Sequence, residues 1–130
     1  MIDMLSVIYE KLKTNEVIKA QCGSRIFYYE LPETAASDKP FMIIIPLDVP
    51  VPVNYGGNTN HSEEYLYQID VQSHDRKVVK IVQNEIRKEL ENINLYQQTN
   101  GFDEYFNGTK RYVDARRYIG IPFRYQLDTQ

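Results

Sequence analysis

Apolar residues recur at helical spacing in three parts of the chain. Residues 2–13 carry them three or four positions apart, which predicts an amphipathic N-terminal helix. Asn15 can cap a short second helix that stops at Gly23. A longer helix is capped by Asp75 or Ser73 and runs to about Asn92. Its buried stripe comprises Val79, Val82, Ile86, Leu90 and Ile93.

Other segments have the composition and alternation of β-strands. Residues 25–29 are β-branched and aromatic, which favours a strand. Residues 41–45 form a continuous apolar run before Pro46, which predicts a central strand buried on both faces. Residues 63–73 alternate between apolar and polar positions and predict a long half-buried strand.

The last third of the chain predicts further strands. Asn107-Gly108 is a strong hairpin signal between strands at 104–106 and 111–113. A weaker strand is predicted at 95–98, and a final strand, interrupted by Pro122, at 119–125. Strands grouped between helices, without regular βαβ alternation, indicate an α+β fold. We therefore expect a mostly antiparallel sheet with the N-terminal helix and the long helix packed on one face.

The segment 47–62 is predicted to project as an arm from a single domain spanning residues 1–130. Its first half alternates valine and proline, and proline cannot donate a ladder hydrogen bond. Its second half is a flexible tip, comprising Gly56, Gly57, Asn58, Thr59 and Asn60. The arm either folds back on its own core or docks on a neighbouring copy, since it would otherwise expose apolar surface.

Composition narrows the class of protein. The chain has 130 residues, of which 42% are hydrophobic and 25% charged, as in an ordinary globular domain. It lacks an apolar run of membrane-spanning length, and its N-terminus does not resemble a signal peptide. The single Cys22 excludes an internal disulfide. Eleven tyrosines and no tryptophan hint at interfaces, where tyrosine is common.

Charge is distributed unevenly. The net charge of −3 argues against a dedicated nucleic-acid binder. The stretch from Lys110 to Arg124 nevertheless has five basic residues and one acid, giving +4 locally and leaving −7 elsewhere. This basic strip is a solvated strand face, a surface for an acidic patch on another subunit, or a phosphate contact. Tyr112 and Tyr118 lie within it.

Candidate chemistry is weak. Ser73-His74-Asp75 has the residue types of a catalytic triad, but neighbouring strand residues face opposite sides, so it is interpreted as a strand end and helix cap. His61, Glu63 and Glu64 lack the converging geometry of a metal site. The glycine loop lacks the lysine and helix start of a phosphate loop. We expect no enzymatic activity, cofactor or metal. A small enzyme using His74 and a nucleic-acid adaptor using the basic strip are the alternatives from other classes.

The layout of the whole chain resembles the tail terminator, or tail completion, proteins that join head and tail in long-tailed phages (siphophages). The resemblance rests on the strand SRIFYYELPE, the apolar strand FMIII, the strand EEYLYQIDVQSHD leading into RKVVKIVQNEIRKEL, and the strand RRYIGIPFRYQ. It implies a structural virion protein that forms a homo-hexameric ring, caps the tail tube and joins it to the head. The implied partners are further copies, the major tail tube protein and the head-completion or connector protein, with DNA only passing through the channel and no membrane.

The resemblance also implies assembly in the bacterial host cytoplasm, from a phage or prophage, and a place at the tail–head junction of the virion. A head-completion or connector adaptor of the neck is the alternative role. For the ring, the tip is expected to face the tail tube, whereas subunit contacts are expected from the arm and the basic strip. These contact residues are Val49, Val51, Val53, Tyr55, Arg111, Tyr112, Arg116, Arg117, Tyr118 and Arg124.

Overall fold

The computed structural model describes residues 3–35, 38–53 and 62–122, apart from the side chain of Ser62. These residues form three helices, α1 (Met4–Lys13), α2 (Glu16–Cys22) and α3 (Arg76–Glu91). Seven strands accompany them: β1 (Ile26–Tyr28), β2 (Phe41–Pro46), β3 (Val51–Val53), β4 (Ser62–Ser73), β5 (Leu95–Gln97), β6 (Phe102–Phe106) and β7 (Arg111–Gly120). Tyr55, the tip residues Gly56–Asn60 and Arg124 lie outside the described residues.

Side-chain caps begin each helix, and those of α2 and α3 are the predicted ones. Asp3 accepts a hydrogen bond from the Ser6 amide at the start of α1, and Asn15 accepts from two amides of α2. Asp75 caps α3 by accepting from the Lys77 amide, while Ser73 Oγ accepts from the Asp75 amide at 3.0 Å. Asp75 is thus the cap, and Ser73 holds it in place.

The sheet has the order β1-β2-β4-β7-β5, with β3 beside β4 and β6 beside β7. Only β1 and β2 are parallel, and the other pairs are antiparallel. The predicted α+β class is confirmed. β2 lies between β1 and β4, and its first four side chains are buried, so the prediction of a central strand buried on both faces is also confirmed.

β7 corrects the prediction of two separate C-terminal strands. Residues 111–120 form one continuous strand that pairs with β4 from Ser73 to Tyr65. The polar run in its middle hid this continuity, because Asp114 is buried with charged partners rather than exposed in a turn. β7 ends at Gly120, where a Cβ atom would overlap the carbonyl of Asn94.

The hydrophobic core lies between the helices and one face of the sheet, which is called here the helix face. Both helical stripes contribute, including Ile8 and Leu12 of α1 and the predicted residues Val79, Val82, Ile86 and Leu90 of α3. The strands supply Met42, Ile44, Tyr65, Tyr67, Ile69, Val71 and Tyr118. The opposite side, called here the open face, is not covered by any of the described helices.

Cys22 belongs to this core and has no exposed surface. Burial raises the pKa of its thiol to about 11, so the thiolate is scarce at neutral pH. No helix within the described ranges is long and apolar enough to cross a membrane.

Candidate subunit interface

The end of β4 nearest its N-terminus projects beyond the main sheet. β7 pairs with Tyr65–Ser73 of β4, and β2 pairs with Tyr67–Gln72, whereas residues 62–64 pair with β3. β3 therefore continues the sheet only through this end of β4. The valines of the predicted arm lie here. Val49 is 75% exposed and Val51 45% exposed, while Val53 is half-buried.

This projecting end has a uniform charge. Asp48, Glu63 and Glu64 lie on it, and the described residues 47–53 and 62–64 include no lysine or arginine. Asp48 uses one carboxylate oxygen to accept a hydrogen bond from the Val49 amide at 2.8 Å. The described part of the projecting end therefore combines exposed valines with three acids. The assignment of residues 47–62 as an arm of a single domain stays a prediction.

The predicted basic strip does not form one surface. Successive residues of β7 face opposite sides of the sheet, as strand geometry requires. Tyr112, Arg116 and Tyr118 lie on the helix face, whereas Arg111 and Arg117 lie on the open face. Arg111 packs its guanidinium 5.2 Å from the centre of the Phe41 ring, and Arg117 Nε donates to Gln68 Oε1 at 3.1 Å.

Arg116 is held by an ion-pair network on the helix side. Its guanidinium donates to Asp114 at 2.9 and 3.2 Å, and Lys80 Nζ donates to the same carboxylate at 2.7 Å. Lys80 also contacts Asp103 at 2.5 Å. Burial disfavours the charge on Lys80, but these two hydrogen bonds outweigh it and raise the pKa of the lysine. Two cations and two acids offset one another, so Arg116 offers little net charge to a partner.

Tyr118 and Tyr112 also differ from the expectation of an exposed aromatic surface. Tyr118 is fully buried, and its hydroxyl donates to Gln83 Oε1 at 2.9 Å. Burial raises the pKa of that hydroxyl. The prediction of Tyr118 as an interface side chain is therefore wrong, because none of it reaches the surface. Tyr112 is half-buried and packs on Tyr105, with ring centres 4.8 Å apart.

Gln83 is a buried polar residue that the sequence reasoning missed. Its amide nitrogen donates to the carbonyls of Ile69 at 2.7 Å and Asp114 at 2.8 Å, and its oxygen accepts from Tyr118. One side chain of α3 thereby joins β4 and β7. Its spacing in the sequence indicates this burial, because Gln83 lies four residues after Val79 and three before Ile86, on the buried stripe of α3.

The open face carries several apolar side chains, although none of the described helices covers it. Phe41, Ile43, Val113 and Ala115 are buried there by their neighbours on the sheet. A groove runs beside them, lined by Asp70, Gln72, Phe102, Phe106, Asn107, Gly108, Thr109, Arg111 and Val113. An antiparallel sheet with one solvated face usually presents polar residues there, so this groove is a candidate contact surface.

Asp70 is the acidic group on the floor of this groove. Gln68 donates to its carboxylate at 2.8 Å and accepts from Arg117, which links the three side chains across two strands. Burial raises the pKa of Asp70, and the hydrogen bond from Gln68 opposes that rise. The walls of the groove combine the rings of Phe102 and Phe106 with polar residues of the β6–β7 turn.

The residues that resembled a catalytic triad have structural roles, as predicted. Ser73 and Asp75 make the helix cap, and His74 Nδ1 lies 2.7 Å from the carbonyl of Lys110. Because a carbonyl only accepts, Nδ1 carries the proton in this contact. Among the described residues, no group of three or more His, Cys, Asp or Glu side chains could hold a metal ion.

Comparison with known sequences gives no match, either to a protein-family profile or to a curated protein. Comparison with solved structures does give matches. A chain described as "Virion of native gene transfer agent (GTA) particle" shares this fold. Its TM-score is 0.59 at 10% sequence identity, over 91% of this chain and 93% of that chain. The two chains thus share one fold over nearly their whole lengths. At 10% sequence identity, the likeness is evidence of a shared fold only.

Proposed function

We propose that this chain is a structural virion protein, a tail terminator that forms a ring, caps the tail tube and joins it to the head. The observation that carries the proposal is the fold shared with a chain of a gene transfer agent virion, since the likeness covers 91% of one chain and 93% of the other. The similarity of layout to tail terminators points to the same class.

The surface supports assembly rather than catalysis. The valines of the projecting end and the aromatic groove of the open face are apolar features at the surface of the described residues. Exposed apolar features that have polar surroundings mark contact sites in soluble proteins. The residues considered for catalysis instead cap a helix or hold a turn.

The number and position of copies are the finer parts of the proposal. A homo-hexamer at the tail–head junction, in contact with the major tail tube protein and a connector protein, follows from the resemblance to tail terminators. DNA would pass through the ring without specific recognition. The contact residues proposed for the ring are those of the arm, together with Arg111 and Arg117, which lie on the open face.

Binding to purified tails tests the role. Headless tails are isolated with and without this protein, and tube length and the occupied tube end are examined by negative-stain electron microscopy. A terminator gives tubes of uniform length that carry the protein at the head-proximal end. Tubes that cap normally without it, together with protein bound only to filled heads, would assign it instead to head completion.

A further inference from the structure

The groove on the open face has the chemistry of a site for an extended apolar segment. Phe102 and Phe106 lie on the same side of β6 and are 40% and 42% exposed. Val113 forms an apolar part of the floor, beside the carboxylate of Asp70. Aromatic walls that flank a shallow floor are the surface on which proline-rich extended segments dock, because such segments lose little conformational entropy on binding.

The chain itself carries such a segment. Asp48–Val53 reads Asp-Val-Pro-Val-Pro-Val, and Val49, the most exposed of its valines, precedes β3. The prolines restrict the backbone to extended conformations before any contact is made. The segment is therefore preorganised, apolar and exposed.

The charges of the two surfaces are also complementary. The described residues of the projecting end include Asp48, Glu63 and Glu64 and no lysine or arginine. Lys110 and Arg111 lie at the β6–β7 turn, and Arg111 lines the groove. Two acids lie on the same face: Asp70, which already accepts a hydrogen bond from Gln68, and the exposed Glu104, which stands between Phe102 and Phe106 on β6. The positive end of the groove is therefore the end at the turn. Opposite charges at the rim favour one orientation of the docked segment over the reverse.

Geometry places this contact between different copies. Val51 pairs with Glu64 at one end of β4, whereas Val113 of the groove pairs with Gln72 near the other end. Eight residues of strand separate Glu64 from Gln72, which corresponds to about 26 Å. Because β3 is held on its end of β4 by pairing, the segment cannot reach the groove of its own chain. Donor and acceptor at opposite ends give a head-to-tail contact, which closes into a ring when the rotation permits.

We propose that Asp48–Val53 of one copy docks in the groove lined by Phe102, Phe106 and Val113 of the next copy. This inference rests on the proposed ring and names the contact that builds it. The neighbouring subunit would also cover the exposed rings of Phe102 and Phe106, which none of the described helices covers.

A cross-linking experiment tests the contact. In the assembled protein, Val49→Cys and Thr109→Cys are combined and treated with a short bis-maleimide. Cys22 is buried and remains unreactive. The proposal predicts a ladder of covalent multimers on a denaturing gel. The matched control pairs Val49→Cys with Ile81→Cys, which lies exposed on α3 away from the groove, and gives no ladder.

Mixing two defective variants tests the head-to-tail order. Val49→Asp with Val51→Asp removes the donor, and Phe106→Asp impairs the acceptor. Each is expected to be monomeric, with a circular dichroism spectrum close to that of wild type because these side chains are substantially exposed. The melting temperature should fall only by what assembly contributes to wild type. An equimolar mixture should form 1:1 dimers, since one donor and one acceptor remain intact. Folded variants that form no dimer when mixed would overturn the proposal.

The failures of the two proposals are distinguishable. A wild-type ring without the Val49–Thr109 cross-link overturns the docking contact and leaves the terminator proposal standing. A wild-type protein that is monomeric at every concentration, alone and with tail tubes, overturns the ring itself and the docking contact with it. A cross-link ladder from the Ile81 control would show nonspecific capture and would also count against the docking contact.

Discussion

Substitution of Gln83 gives the sharpest test of how α3 is joined to β4 and β7. Its side chain has no exposed surface and makes three hydrogen bonds, to the carbonyls of Ile69 and Asp114 and to the hydroxyl of Tyr118. Gln83→Leu keeps a similar volume but removes all three hydrogen bonds, and it leaves the two carbonyls and the hydroxyl without this partner. Each buried polar group left without its partner costs about 1 to 3 kcal/mol.

The expected loss is about 3 to 5 kcal/mol, because the two carbonyls retain part of their bonding in the sheet and fall at the low end of that range. This is a large share of the roughly 5 to 15 kcal/mol by which domains of this size are stable. The assay is urea unfolding monitored by circular dichroism. The slope of the unfolding free energy against urea concentration is compared between variants. An unchanged slope would attribute the shift in midpoint to stability alone.

Two further variants make the measurement specific. Gln83→Leu combined with Tyr118→Phe should recover about 1 kcal/mol, since the stranded hydroxyl is also removed. Asn84→Ala, at the exposed neighbouring position, should change stability by less than about 0.5 kcal/mol. A Gln83→Leu variant as stable as Asn84→Ala would refute the role assigned to Gln83.

Three other predictions concern ionisable groups. Asp114→Asn should lower the free energy of unfolding in urea by about 3 kcal/mol, because Lys80 loses an ion-pair partner that is nearly buried. Asp103→Asn changes a half-exposed carboxylate and should lower it by less than about 1 kcal/mol. Equal losses for the two variants would contradict the ion-pair network. Burial raises the pKa of Asp70 above its ordinary value of 3.8. Ionisation of Asp70 therefore destabilises the folded state as the pH rises above 3.8. Asp70→Asn should be more stable than wild type at pH 7 but not below pH 3.8. Cys22, with a pKa of about 11, should react with a thiol reagent at pH 8 only after unfolding, and a fast reaction in the native state would show that the thiol is accessible.

Much of the fold follows from patterns that involve neighbouring residues. The stripe of α3 and the apolar run of β2 each identified an element and its buried surface, because burial on one or both faces leaves a distinct period in the sequence. Asn107-Gly108 likewise identified the position of the turn between β6 and β7, although the residue of that turn with positive φ is Lys110 rather than either of these two. These signals depend only on neighbouring residues, so they can be identified without knowledge of the tertiary structure.

The contact surfaces were harder to predict. Arg116 and Arg117 look like one basic patch in the sequence, yet adjacent strand residues face opposite sides, and Asp114 offsets one of them. The continuity of β7 could not be read from its polar middle, because that run is stabilised by Lys80 from a distant helix. The groove depends on β6 pairing with the same edge of β7 that β5 uses farther along, which no local pattern encodes.

The central claim is that the chain assembles into a ring. Light scattering coupled to size exclusion, over a range of protein concentrations and in the presence of tail tubes, measures the mass of the assembly directly. The ring predicts a mass about six times the 15.3 kDa of one chain, with negative-stain images of closed rings at the tube end. A mass of a single chain under every one of these conditions would contradict it.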